Sequence, residues 1–126
     1  MQHTFRREQK LKSKKLIEQL FAKGKTESVY PLKLIYLKTE HKGKYPVQAG
    51  FSVSKRKMKN AVERNRIKRI LRECYRKNKQ AVYDQIAEKY IFMFLYVDEN
   101  EQNYVVLEGK MIDLLNKFII KTSKDN

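Results

Sequence analysis

Cysteine is nearly absent: Cys74 stands alone among 126 residues, so no internal disulfide can form, and its apolar helical setting reads as core filling. Only two histidines occur, His3 in a basic arm and His41 beside a turn, and both read as solvated loop residues without a catalytic or ligand role. With four glycines scattered singly, there is no Gly-rich phosphate loop, and neither a nucleophile elbow nor zinc-type cysteine spacing occurs. Long apolar runs are missing too. The longest, Tyr90 to Val97, is far too short to span a bilayer, and Met1 to Lys15 lacks the hydrophobic stretch of a secretion signal, so a cytoplasmic location is expected. Acids are scarce: 14 Asp and Glu face 29 Lys and Arg, a formal net charge of +15. That excess points to a polyanion. Tryptophan is absent, and no long amphipathic segment joins basic residues to aromatic anchors, so nucleic acid is favoured over a membrane surface.

What is present is a concentration of that charge. Twelve of the 29 Lys and Arg residues fall between Ser54 and Lys79, in SKRKMKNAVERNRIKRILRECYRKNK, against only Glu63 and Glu73. Read as a helix, the run puts Ile67, Ile70, Leu71, Cys74 and Tyr75 on one face and Asn65, Lys68, Arg69, Arg72, Arg76 and Lys79 on the other. A solvated face that served stability would mix signs. Here Lys68, Arg69, Arg72 and Arg76 are like-charge neighbours, each pair costing about 0.2–0.5 kcal/mol in the free protein. Phosphates that neutralise the face reverse that cost through counterion release.

The apolar content, 41%, supports one modest core and one domain. Residues 1–12 read as a flexible basic arm, 13–121 as the domain and 122–126 as a polar tail. Ser13 caps a short helix carrying Leu16, Ile17, Leu20 and Phe21, which Gly24 ends. Lys25 to Ser28 reads as a polar linker. Strands are expected over Val29 to Thr39, with Pro31 near its start or on an edge, and over Val47 to Val53, joined through a turn at Glu40 to Lys44 as a hairpin. Asn60 caps the basic helix, whose end is blurred between Asn78 and Ile86. Lys89 to Val97 is apolar on both faces and suits a central buried strand, and Tyr104 to Lys121 has helical periodicity. The order is αββαβα. Asp98, Glu99 and Glu101 share a polar loop, but their spacing matches no metal motif, so the chain reads as a binder.

Gly50 to Lys79 resembles the protein subunit of bacterial ribonuclease P. The resemblance rests on Ser52-Val53-Ser54-Lys55, Asn60-Ala61-Val62 and Arg64-Asn65-Arg66-Ile67-Lys68-Arg69, in a strand-to-helix setting, and extends more loosely from Phe5 to the last helix. Two departures stand out. Lys55 to Lys59 is one residue longer than in many members and lacks their glycine, and Ile17 stands where many have an aromatic.

The resemblance implies a two-layer α+β sandwich with a small central sheet and a left-handed βαβ crossover, against the usual hand. It implies a catalytic RNA partner that, with magnesium held chiefly by the RNA, removes the 5′ leader of precursor tRNA, the protein being monomeric without RNA and not itself catalytic. Lys55, Arg56, Arg64, Asn65, Arg66 and Arg69 match the family's surface for the catalytic RNA, where guanidinium forks suit phosphates. Ile17, Phe21, Leu34, Tyr36, Lys68 and Arg72 match its leader cleft, where bases stack on aromatics. On the residues alone, Phe21 and Tyr36 read equally as core. Two alternatives stay open: another kind of RNA-binding protein, and a self-sufficient nuclease using Asp98, Glu99 or Glu101.

Overall fold

The computed structural model describes residues 5 and 7–124. After a 3-10 turn at Arg7–Gln9 come α1 (Lys14–Lys23), β1 (Lys25–Val29), β2 (Leu32–Lys38), β3 (Val47–Val53), α2 (Ala61–Asn78), α3 (Gln80–Tyr83), β4 (Tyr90–Tyr96) and α4 (Tyr104–Lys124). The caps fall where the sequence puts them. Ser13 Oγ accepts the Leu16 N–H at 3.2 Å, and Asn60 Oδ1 accepts those of Val62 and Glu63 at 2.8 and 3.2 Å. Gly24 ends α1 by close approach, not by an unusual backbone: at φ −68°, a Cβ here would lie 2.4 Å from Leu20 O and 2.7 Å from Ile35 Cγ2.

The strands form a four-stranded sheet in the order β1-β2-β4-β3, antiparallel except for the parallel β3/β4 pair. This corrects the expected hairpin of the 29–39 and 47–53 strands, because β4 lies between them. The reason is burial. Six of the seven β4 residues are buried, so this strand gains most from a position with both faces covered. The true hairpin is β1 with β2, through a turn holding the cis Tyr30-Pro31 peptide. Lys25 to Ser28 is therefore strand, not linker; its polar residues suit an edge with half its surface in water.

Alternation divides the core. Leu32, Leu34 and Tyr36 of β2, with Phe92, Phe94 and Tyr96 of β4, face α2 and α4. Ile91 and Met93 face the other way, with Leu20 of α1, Leu11, and the partly buried Ile17, Ile35 and Leu37. Helices thus lie on both faces, although α1 is only ten residues long and most of the molecule is a helix pair on a sheet. Residues such as Leu20, Leu71 and Phe92, each 0% exposed, contribute roughly 1.5–3 kcal/mol apiece from apolar burial.

Both ends differ from the expected arm and tail. The described part of the arm is docked: the Leu11 N–H donates to Ala49 O at 2.9 Å along the β3 edge, Gln9 Nε2 donates to Tyr83 Oη at 3.2 Å, and Phe5 packs edge-on against Phe51 and Tyr75. An edge strand offers unpaired backbone groups, and this segment takes some of them up. Residues 1–4, His3 included, lie outside the described residues. At the other end, α4 continues to Lys124 and buries Thr122, so 122–124 belong to the domain. His41 is buried as well. Its Nδ1 accepts the Gly43 N–H, and its Nε2 lies 3.2 Å from Pro46 O. Burial holds its pKa below the ordinary histidine value.

Candidate nucleic-acid interface

The strand-to-helix passage begins with a turn stapled by Ser54. Its Oγ accepts the Lys57 N–H at 3.3 Å and its carbonyl accepts the Met58 N–H at 2.9 Å. Met58 buries its side chain in the core, 2% exposed, which tethers the longer loop without a glycine. The same turn leaves Lys55, Arg56, Lys57 and Lys59 exposed.

Arg64 and Arg66 are already engaged within the protein. Arg64 Nη1 donates to Met58 O at 2.9 Å and to Lys59 O at 2.8 Å. Arg66 Nη1 meets both carboxylate oxygens of Glu101, at 2.8 and 2.9 Å, across solvent-facing surface. Asn65 and Arg69 are exposed between and beyond them. Among the described residues, no carboxylate lies within ion-pair distance of Lys55, Arg56, Lys68, Arg69 or Arg72. The expected cationic face is thus real in its first three turns.

Farther along α2 it ends. Arg76 pairs with Glu73, whose carboxyl that hydrogen bond holds below its ordinary pKa. Lys79 is a correction: it is 3% exposed, with its ammonium 5.8 Å from the Phe5 ring centre and 5.7 Å from that of Tyr83. The helix is interrupted there before α3 begins, and the lysine lies inward over aromatic rings. Cys74 is core, as expected, with burial pushing its thiol up to about 12.

The second group of expected residues is divided by the sheet. Ile17 and Phe21 are on the α1 side, and Phe21 is 54% exposed. Leu34 and Tyr36 are not with them. They are 0% and 3% exposed on the opposite face, where Tyr36 packs at right angles on Phe118 with ring centres 4.9 Å apart. A strand places neighbouring side chains on opposite faces, so Ile35 and Leu37 supply the α1-side positions. The sequence signal was ambiguous because Leu34, Ile35, Tyr36 and Leu37 are all apolar.

The surface is grooved along the outer edge of β3, where Phe51 shares the face of Phe94, opposite to that of Ile17 and Ile35. One cavity of about 200 Å³ is bounded by Phe5, Lys10, Leu11, Lys12, Gly50, Phe51 and Arg72, and another of about 530 Å³ by Lys10, Lys12, Leu16, His41, Lys42 and Gln48. Lys10 and Lys12 are common to both. Arg72 lies over Phe51, 6.0 Å from the ring centre, and partly exposed Lys68 is one turn earlier on α2. This floor of apolar side chains bordered by cations can hold a single strand by base stacking and backbone neutralisation. Reading α2 alone missed Lys10, Lys12 and Phe51, which the docked arm and β3 bring to it.

The acidic loop makes no comparable site. Asp98 accepts from Gln102 Nε2 at 2.9 Å and from the Asn100 N–H at 3.2 Å, bonds that keep its carboxyl below the ordinary pKa; it is a buried turn organiser, not a solvated residue. Glu101 is committed to Arg66. Among the described residues, no three His, Cys, Asp or Glu side chains gather as a metal site. Nor is any helix among them long and apolar enough to cross a membrane.

The comparisons agree across most of the chain. A ribonuclease P protein component from Porphyromonas gingivalis is 36% identical over 99 residues, covering 75% of this chain and 72% of that protein. One from Streptococcus agalactiae is 34% identical over 119 residues, covering 91% and 94%. Among solved structures, the RNase P protein of Thermotoga maritima superposes with a TM-score of 0.68 at 19% identity, covering 86% of this chain and 96% of that one. That of Staphylococcus aureus gives 0.68 at 18%, covering 86% and 93%. These likenesses carry the fold, and the family follows from sequence: the model described as Ribonuclease P matches residues 5–119, and this chain belongs to the ribonuclease P protein family.

Proposed function

We propose that this protein, as the ribonuclease P subunit, docks on the catalytic RNA through α2 and the loop before it and holds the 5′ leader of precursor tRNA in the groove along the β3 edge, between α2 and the start of α1. The observation that supports the reading is that Lys68, Arg69 and Arg72 of α2 have no carboxylate within ion-pair distance among the described residues, and that Arg72 borders a groove lined by Phe5 and Phe51. Lys55, Arg56, Asn65, Arg66 and Arg69 meet the RNA subunit, with Arg66 exchanging Glu101 for phosphate. Lys68, Arg72, Lys12 and Phe51 serve the leader at the β3 edge, and Ile17 and Phe21 extend its path on the α1 face, where Ile35 takes the place of Leu34 and Tyr36. The chemistry belongs to the RNA and its magnesium. The protein supplies position and charge, and acts as a cytoplasmic monomer before it meets RNA.

The assembled enzyme tests this directly. Holoenzyme affinity is compared for precursor tRNA and mature tRNA, with wild-type protein and with Phe21→Ala or Arg72→Ala. The proposal expects these variants to weaken only the leader-bearing RNA. Equal weakening of both RNAs would favour a general RNA-binding role and reject a leader groove.

A further inference from the structure

We infer that Arg64, the first arginine of the Arg-Asn-Arg run, is a positioning residue that builds the cationic loop before α2 and does not itself contact phosphate. Both Nη1 hydrogens are used inside the protein, on the carbonyls of Met58 and Lys59 at 2.9 and 2.8 Å. These carbonyls close the segment that displays Lys55, Arg56, Lys57 and Lys59. Four exposed cations so close together repel one another, and a fifth charge among them worsens that repulsion. Its retention makes sense through the two carbonyls it ties to the first turn of α2. With Met58 in the core, Ser54 binding the turn and Asn60 capping the helix, Arg64 completes a rigid mount for the loop. Arg66 differs, because its partner is an exposed carboxylate that phosphate can replace.

This inference rests on the reading that loop and helix together engage RNA, and two measurements separate them. In free protein, Arg64→Gln should speed amide exchange at Lys57 and Met58 at least several-fold, while Arg66→Gln leaves it unchanged and both variants keep a cooperative unfolding transition. In RNA-subunit binding, Arg64→Gln should weaken affinity about tenfold. Adding Lys55→Ala and Arg56→Ala to Arg64→Gln should then cost less than about twofold more, because the mispositioned loop has already lost those contacts. Arg64→Lys, which keeps the charge, should behave like Arg64→Gln, whereas Arg66→Lys should retain most binding.

Unchanged amide exchange, additive losses and rescue by lysine would make Arg64 an ordinary phosphate contact and overturn the inference. If the wild-type protein binds no RNA subunit, the docking reading fails, and with it the role assigned to Arg64 in RNA binding. Exchange in free protein still reports the clamp on its own.

Discussion

Truncating Tyr36 separates the observed register of β2 from the one that family resemblance suggests. Its ring is 3% exposed and packs on Phe118 at 4.9 Å and 84°, with Tyr90 at 6.4 Å. Tyr36→Ala removes that ring from a core that cannot fully collapse, for a cost of about 3–5 kcal/mol. Against a typical stability of about 5–15 kcal/mol, this is a large fraction, and in a domain of this size it lowers Tm by roughly 10–25 °C. Urea unfolding followed by circular dichroism should give a lower midpoint with an unchanged slope. Tyr36→Leu, which keeps more apolar volume, should lose less and stay folded for binding. Leader affinity of holoenzyme made with it should equal wild type. Phe21→Ala is the mirror case: 54% exposed, it should change stability by less than about 1 kcal/mol and weaken leader binding by about 1–3 kcal/mol through lost stacking. A stable Tyr36→Leu protein with selectively weakened leader binding would put the ring in the groove and refute the register argument.

Other perturbations have opposite signs or different readouts. Glu101→Gln removes the carboxylate that competes for Arg66, so RNA-subunit affinity in a filter-binding titration should rise by about two- to fivefold at low salt, as an exposed pair is worth roughly 0.2–1 kcal/mol. Arg66→Ala should weaken that binding by about 1–3 kcal/mol and flatten its salt dependence by about one contact. Asn60→Ala removes the acceptor for two N–H groups and should cost about 1 kcal/mol in denaturant unfolding. His41 has a folded pKa below its unfolded value of about 6.5. The unfolded chain therefore binds more protons between those two values, and stability should fall as pH drops from about 6.5 to the folded pKa. An NMR titration of the His41 ring with a midpoint at or above about 6.5 would contradict this.

The sequence is most legible where one physical demand dominates. Ser13, Asn60 and Gly24 mark helix ends because orphan backbone groups and close approach admit few residues, and β4 reads as central because both its faces are apolar. Partner choice is less legible. The short-range pattern of Val29 to Val53 suggests a hairpin, whereas the gain from covering both faces of β4 decides the strand order only in the whole sheet. β1 is hidden because Lys25, Thr26, Glu27 and Ser28 bury little, so its pairing rests on backbone bonds to β2. The basic helix is plain from composition, yet Lys79 turns inward onto rings of the arm and α3, a long-range contact no helical wheel contains. The expected leader cleft shows the same limit: four consecutive apolar residues in β2 fit either parity, and only the packing of α1 on Ile35 and of α4 on Tyr36 assigns the faces.

The central claim, that this protein serves a catalytic RNA and does not cleave by itself, is tested most directly with 5′-labelled precursor tRNA at low magnesium. Three reactions are compared: protein alone, the ribonuclease P RNA alone, and both together. The account predicts accurate release of the leader only when both are present. Cleavage by the protein alone, abolished by changing Asp98, Glu99 or Glu101, would contradict it.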